Sequence, residues 1–173
     1  STRPGATVVS PEEEWQRVEP VLNHVQERFQ GKEIRPQISL DTRHVEVAAK
    51  ALKLGVDIIN DVSGLADDQM LKLLQKSNCT YVLMHSLSIP ADPNTVISQD
   101  SDVIKELKNW FTEKLEILEM AGIKRERIIL DPGVGFGKTG LHSQIILQNI
   151  EELYSFELPV LVGHSRKSFL ARL

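Results

Sequence analysis

The most distinctive segment of the sequence is residues 131–139, which read Asp-Pro-Gly-Val-Gly-Phe-Gly-Lys-Thr. The final Gly-Lys-Thr suggests a nucleotide-binding P-loop, but that motif needs a glycine where this chain has Pro132. The glycines instead predict a tight, exposed loop where backbone approaches a ligand. The carboxylate of Asp131 can accept two N–H donors from the planar edge of a guanidine-type heterocycle. The alternative is that Asp131 only caps the loop that follows it.

A second chemically rich segment is residues 163–168, Gly-His-Ser-Arg-Lys-Ser, which follows an apolar run. Helix N-terminal N–H groups, with Ser165, Arg166 and Lys167, predict an anion site there. The alternative is a solvated basic turn. The chain holds 20 Lys plus Arg against 24 Asp plus Glu, a net charge of −4. Five cations nevertheless follow predicted strand ends, so we expect that face to attract anions: Arg3, Arg43, Lys138, Arg166 and Lys167.

Other strand ends carry residues that can read a flat polar ring. Asp41 offers acceptors, and Asn60 offers one acceptor and two donors, although each alone is also a good helix cap. Met84 and Phe136 are candidate apolar walls for the ring, or ordinary core residues. We interpret His85 as a strand-end histidine with its hydrogen bonds satisfied, and a catalytic role is the alternative.

Composition excludes several classes of protein. The chain has 173 residues, 41% apolar and 25% charged, which predicts one globular domain. A net charge of −4 disfavours a broad nucleic-acid-binding face. The single cysteine, Cys79, excludes an internal disulfide and a cysteine zinc site, and it favours a reducing, cytoplasmic location. No apolar stretch approaches the roughly 18 residues of a membrane span.

Five short apolar runs predict buried parallel strands, at residues 37–41, 57–61, 81–85, 127–131 and 159–163. Between them lie longer amphipathic stretches that predict helices. These cover residues 11–29, with a kink or break at Pro20, then 45–54, 67–77, 101–121 and 142–154, with a sixth helix from near Arg166. Residues 86–100 form one long loop.

Strand–helix alternation predicts a parallel α/β architecture. The two candidates are an open doubly wound sheet and a (β/α)8 barrel, the TIM barrel. An open sheet binds ligands mainly at one switch point, whereas a barrel uses the carboxyl ends of many strands. Here each of the five runs ends at or near a candidate functional group, which favours the barrel. Because a barrel typically takes about 250 residues, residues 1–173 are expected to be one barrel domain that lacks strands at both ends.

With these residues in view, the chain resembles dihydropteroate synthase, the pterin-binding barrel family of the folate pathway. The resemblance rests on successive segments that match the family's strand-end motifs in order. They are residues 1–5, 39–42, 59–64, 83–85, 131–139 and 163–168. Any one segment is weak support, but their common order and helix-length spacing are specific.

The resemblance implies a transferase that joins 4-aminobenzoate to 6-hydroxymethyl-7,8-dihydropterin diphosphate and releases diphosphate. It implies Mg²⁺, with its main ligand outside this chain and none within it, and a homodimer, with no nucleic-acid or membrane partner. Pterin contacts are implied for Asp41, Asn60, Met84, Asp131, Gly163 and Lys167, of which Asp41, Asp131 and Lys167 are catalytic. The aminobenzoate pocket, where sulfonamides also bind, is implied for Phe136 and Ser168 and for the loop residues Thr2, Arg3 and Pro4. Diphosphate contacts are implied for Ser165, Arg166 and Lys167.

The sequence also departs from the family pattern. An Asn on the first strand and an Arg-x-His motif on the last, both used for diphosphate, lie outside this chain. After Lys138-Thr139 the family usually has His-Asn, where this chain has His142-Ser143. Two alternatives stay open: a pterin-binding methyltransferase of the same barrel family, and a non-catalytic pterin-binding module. The anion-binding run at residues 165–168 argues against the methyltransferase.

Overall fold

The computed structural model describes residues 7–88, 95–98, 100–165 and 167. Its sheet has four parallel strands: β1 (Ser39–Asp41), β2 (Ile58–Asp61), β3 (Thr80–Met84) and β4 (Ile128–Asp131). They lie side by side in chain order, β1-β2-β3-β4. The described strands therefore contain no reversal of order, and a reversal is what creates the switch point of a doubly wound sheet. The order is that of a barrel wall.

The fifth predicted strand, residues 159–163, is much shorter than expected. Only Val160 forms a β-bridge, parallel to Leu130. The N–H of Leu130 donates to the carbonyl of Pro159 at 2.9 Å, and the N–H of Leu161 donates to that of Leu130 at 2.8 Å. Pro159 has no N–H of its own to extend the ladder. The segment still continues the strand order by one position, on the far side of β4.

Five α-helices connect and flank the strands. They are α1 (Pro11–Phe29), α2 (Val45–Lys53), α3 (Asp68–Gln75), α4 (Val103–Met120) and α5 (Gly140–Gln148). Short 3₁₀ helices cover Arg125–Arg127 and Ile150–Phe156. Among the residues described, no helix combines the length and apolar character that crossing a bilayer requires.

Two helices differ in detail from the prediction: no break occurs at Pro20, and the helix predicted from residue 142 ends early. α1 runs through Pro20 without a break, because buried Trp15 and Leu22 hold it to the core on both sides of the proline. The helix predicted for residues 142–154 ends at Gln148, and a 3₁₀ helix follows. Asn149 leaves helical geometry with φ −126°, and its side-chain amide donates to the carbonyl of Ile145 at 2.8 Å.

The core lies on one face of the sheet. Alternate strand residues, among them Ile59, Tyr81, Leu83 and Leu130, are fully buried in one cluster with apolar side chains of the helices. Side chains of a strand alternate between faces, so the intervening residues point the other way. That second face carries the polar strand-end residues, and it corresponds to the barrel interior.

Candidate active site at the carboxyl ends of the strands

Strand register brings four of the predicted site residues onto one face. Asp41 pairs with Asn60 across β1 and β2, and Met84 pairs with Asp131 across β3 and β4. Asn60 also pairs with Val82, two residues before Met84, so both pairs belong to the same face. The sequence prediction that these side chains share one end of the sheet is confirmed.

Asp41 and Asn60 form a hydrogen-bonded pair. The Asn60 Nδ2 amide donates to Asp41 Oδ1 at 2.9 Å. Asn60 Oδ1 is buried and has no hydrogen-bond partner within the described ranges. A buried acceptor without a partner is costly unless a ligand or water supplies a donor. The pair therefore offers a free amide oxygen beside a carboxylate, which suits a ligand rich in N–H groups.

Asp131 is a buried carboxylate, 4% exposed. Burial raises its pKa to about 6, and the nearby charge of Asp41 adds to that effect. The Gly133 N–H, which donates to Asp131 Oδ1 at 2.8 Å, and the positive charges of Lys138 and Lys167 oppose the rise. One carboxylate oxygen thus caps the glycine loop, as the alternative reading of the sequence expected. The second oxygen is not used by that bond.

Lys138 is not an exposed cation at the strand ends, so its inclusion among the anion-attracting residues was wrong. It is buried at 6% exposure, and Nζ donates to the carbonyl of Phe136 at 2.9 Å and that of His85 at 3.3 Å. Its shortest contact, 2.7 Å, is with His85 Nδ1. Burial lowers the pKa of Lys138 to about 7, opposed by the negative charge of Asp131.

His85 is the acceptor for this buried lysine. It is 3% exposed, and its ring lies edge-on to that of Trp110 with centroids 4.9 Å apart. Burial, followed by the Lys138 charge, lowers its pKa to about 3, so the ring is neutral at physiological pH. When Lys138 is protonated, its ammonium group can only donate, which gives Nδ1 the acceptor role and leaves the ring proton on Nε2. The histidine is satisfied, as the sequence analysis favoured, but by a residue that the sequence analysis assigned to another task.

Apolar walls flank the polar groups. Val62, Met84 and Phe136 form a small buried cluster separate from the main core. Lys167 Nζ lies 4.0 Å from the centroid of the Phe136 ring, a cation–π contact. Burial lowers the pKa of Lys167, and Asp131 opposes that shift. The predicted ring walls and the predicted pterin lysine are therefore brought together beside Asp131.

Several predicted site residues are not part of this constellation. Gly163 and Ser165 are exposed and lie in irregular backbone before Lys167. The remaining predictions fall outside the described residues: Thr2, Arg3, Pro4, Arg166, Ser168 and the helix from near Arg166. The diphosphate site and the closing loop therefore stay predictions.

The described residues do not supply a metal site by themselves. Across residues 7–88, 95–98, 100–165 and 167, no three His, Cys, Asp or Glu side chains are grouped so that they could hold a metal ion. The Asp41 and Asp131 carboxylates each already accept a hydrogen bond from an N–H donor. Neither carboxylate is therefore assigned as a metal ligand.

Comparison with known proteins agrees with this geometry. The family of pterin binding enzymes matches residues 1–173. Dihydropteroate synthase of Escherichia coli K12 is 40% identical over 173 residues, which are 100% of this chain and 59% of that protein. The chain thus spans about three fifths of the length of that relative.

Solved structures give the same result. Anaplasma phagocytophilum dihydropteroate synthase with bound 6-hydroxymethylpterin-monophosphate superposes with a TM-score of 0.91 at 38% identity, covering 99% of this chain and 67% of that one. Thermus thermophilus dihydropteroate synthase in complex with 4-aminobenzoate gives 0.84 at 36% identity, covering 99% and 63%. The predicted fold class is confirmed, and the four strands are part of a (β/α)8 barrel wall. The chain belongs to the family of pterin binding enzymes.

Proposed function

We propose that the protein acts as a dihydropteroate synthase. It would join 4-aminobenzoate to 6-hydroxymethyl-7,8-dihydropterin diphosphate and release 7,8-dihydropteroate and diphosphate. The relatives reported above carry this activity in their names, one solved with a pterin phosphate and one with 4-aminobenzoate. The proposal concerns the whole gene product, because this chain covers only part of those proteins.

The observation that carries the proposal is the convergence of Asp41, Asn60 and Asp131 on one face beside an apolar cluster. The aminopyrimidine edge of a pterin presents several N–H donors in one plane, and carboxylate and amide oxygens accept them. Asp131 is proposed to hold that edge, with the Asp41–Asn60 pair on another part of the ring. Met84 and Phe136 would contact the faces of the ring.

The reaction breaks the bond between the pterin methylene carbon and the diphosphate oxygen, and forms a bond from that carbon to the amine nitrogen of 4-aminobenzoate. The amine loses one proton, which passes to the departing diphosphate or to water. Positive charge develops on the methylene and the conjugated ring as diphosphate departs. Fixed carboxylates near the ring stabilise that charge, and they cost no reorganisation during the step. Asp41 and Asp131 are proposed for this role, and Lys167 is proposed to contact the pterin beside Phe136.

The second substrate is proposed to bind on the Phe136 side, with Thr2, Arg3, Pro4 and Ser168 completing its pocket. Sulfonamide drugs carry the same 4-aminophenyl group as 4-aminobenzoate. The same residues are therefore proposed to bind them in competition with the substrate.

Ser165, Arg166 and Lys167 are proposed to contact the leaving diphosphate, and Gly163 is proposed to contact the pterin. Mg²⁺ is proposed as cofactor on the family resemblance alone, with its main ligand outside these 173 residues. It would neutralise charge on the diphosphate, and none of the steps above is assigned to it. We also propose a homodimeric, cytoplasmic protein, as the resemblance implies.

Product formation tests the proposal. The complete gene product is incubated with both substrates and Mg²⁺, and dihydropteroate is measured by mass and absorbance. Asp131→Asn is the test variant, and Asp61→Asn is the matched control, because Asp61 is also buried but lies on the opposite face of β2 and bonds to Tyr81. The proposal predicts product from the wild type and the control, lost in Asp131→Asn. Pterin binding without product would instead support a non-catalytic module, and turnover of a methyl donor would support the methyltransferase.

A further inference from the structure

Lys138 is a buried charge that the proposed chemistry does not use. It is more enclosed than Lys167, and its three contacts run inward to His85 Nδ1, the His85 carbonyl and the Phe136 carbonyl. Burying an ammonium group is costly unless several acceptors and a countercharge compensate it. Three acceptors and the nearby Asp131 offset part of that cost, although burial still outweighs them and lowers the pKa of Lys138 to about 7.

The contacts of Lys138 join the glycine loop to the end of β3. Gly133 starts the loop with φ +61°, packed directly on the His85 carbonyl, and the Gly137 carbonyl accepts from Ile97 at 2.9 Å. Lys138 closes the same loop by bonding to His85 and to Phe136. The N–H of His85 in turn donates to the Asp131 carbonyl at 2.9 Å. The loop that presents Phe136 is thereby fixed to the strand pair that presents Asp131.

Lys138 acts on Asp131 through its charge as well as through its position. Each of the two charges shifts the pKa of the other toward the ionised form. The other charged and titratable groups around Asp131 are Asp41 at the end of β1, His85 after β3 and Lys167 beyond the Val160 bridge. His85 is neutral above pH 4, and Lys167 is only half-buried. Lys138, at 6% exposure, is thus the more enclosed of the two cations near the carboxylate, and below its pKa of about 7 it is the countercharge to Asp131.

We propose that Lys138 is a positioning residue of the pterin site, whose buried ammonium fixes the loop carrying Phe136 and keeps Asp131 ionised in a buried setting. The role in the pterin site rests on the proposed function. The electrostatic link between Lys138 and Asp131 does not, and it is measurable in the ligand-free protein. His85 and Trp110 contribute to the same arrangement. His85 Nδ1 is the nearest acceptor for Lys138, and the Trp110 ring packs against the His85 ring.

The test compares the complete gene product with Lys138→Met, which keeps the length of the side chain and removes the charge. Lys108→Met is the matched control, since Lys108 pairs with Glu152 on the surface, between α4 and the 3₁₀ helix that follows α5. Affinity for the dihydropterin diphosphate is measured between pH 5 and 8. In ligand-free protein, the carboxyl carbon of Asp131 is titrated by NMR.

In Lys138→Met we expect both the acid limb of pterin binding and the Asp131 titration to move up by about one pH unit, since a lost opposite charge shifts a carboxyl pKa by that order. Affinity at pH 6 then falls about fivefold, because the ionised fraction of Asp131 drops from about one half to about one tenth, and the control is unchanged. An unchanged Asp131 titration would overturn the proposal. If the wild type itself does not bind the pterin, the proposed function fails, while the NMR titration still decides the electrostatic link.

Lys138→Met is a buried substitution, so folding is followed by thermal melting. If the variant does not melt cooperatively, Lys138→Met is combined with Asp131→Asn. A countercharge role predicts that the second change restores cooperative melting, because it removes the unpaired carboxylate. Failure of the double variant to recover would overturn the proposal, since a purely steric role for Lys138 does not depend on the charge of Asp131.

Discussion

Gly133 packs against the end of β3 so closely that a Cβ on it would lie 2.0 Å from the His85 carbonyl oxygen. That oxygen is backbone and cannot move aside without disturbing the strand. The same carbonyl accepts from Lys138, and the Gly133 N–H caps Asp131. Only glycine fits where the loop, the strand end and the site carboxylate meet.

Gly133→Ala is therefore expected to destabilise the protein severely, by about 3 kcal/mol or more, through left-handed strain plus a backbone clash. Gly122→Ala is the matched control, because Gly122 has φ +80° but nothing lies within 4 Å of its built Cβ. Strain alone predicts a cost of about 1 kcal/mol there. Urea unfolding of both variants measures the difference in the free energy of unfolding. Equal costs would mean that the close approach of Gly133 to the His85 carbonyl adds nothing to the left-handed strain.

Asp131→Asn is expected to separate stability from function. The folded-state pKa of Asp131, about 6, is above the ordinary value of a carboxyl group. Its favourable contribution is thus complete below about pH 4 and is lost as pH rises through about 6. The neutral variant should gain about 1–2 kcal/mol over the wild type at pH 7.5, and nothing at pH 4.

In this variant Lys138 no longer has the Asp131 carboxylate to balance its charge, and that loss limits the gain. Denaturant melts at the two pH values measure it. A variant that is less stable than the wild type at pH 7.5, with no change in the slope of unfolding, would contradict the assigned direction of the Asp131 pKa.

His85 is expected to tolerate an acceptor but not an apolar side chain. His85→Leu leaves the Lys138 ammonium short of its nearest acceptor and should cost about 2–3 kcal/mol. His85→Gln keeps a neutral side-chain acceptor and should recover part of that loss. The comparison is made by thermal melting at pH 8 and pH 6. Equal destabilisation by the two variants would mean that ring packing on Trp110, rather than the hydrogen bond, is what His85 supplies.

His142 gives a prediction independent of the site. It is 1% exposed, and neither ring nitrogen has a hydrogen-bond partner within the described part of the chain. Replacing such a group by an apolar residue of similar size removes an unsatisfied donor and acceptor. His142→Leu should be neutral or stabilising, by up to about 1 kcal/mol. A loss of more than that in urea unfolding would show that the ring makes a contact essential to the fold.

Strand and helix positions were largely predictable because the apolar runs and amphipathic stretches alternate strictly. The carboxyl-end residues Asp41, Asn60 and Asp131 were predictable for the same reason, since parallel strands bring their ends to one edge. The short length of the fifth strand was not predictable, because it depends on which of its backbone groups form hydrogen bonds to β4. The end of α5 was not, because Asn149 bonds back to the chain only once the helix has formed.

The direction of Lys138 was the largest error about the site. By type and position it matches the other cations that follow predicted strand ends, and nothing in its sequence neighbourhood marks it as buried. Three glycines with positive φ, at 133, 135 and 137, turn the loop so that the lysine points back to β3. The contact between Lys138 and His85 joins two segments that are far apart in the sequence. It can therefore be recognised only in the folded structure.

Calorimetric titration with the dihydropterin diphosphate shows whether the polar carboxyl ends of β1, β2 and β4 bind a pterin. The complete gene product is titrated beside Asp131→Asn and the buried control Asp61→Asn, after all three are shown to melt cooperatively. The account predicts saturable binding by the wild type and the control, and at least about tenfold weaker binding by Asp131→Asn, as expected for a lost charge-assisted bond. Binding of equal strength in Asp131→Asn, or none by the folded wild type, would contradict it.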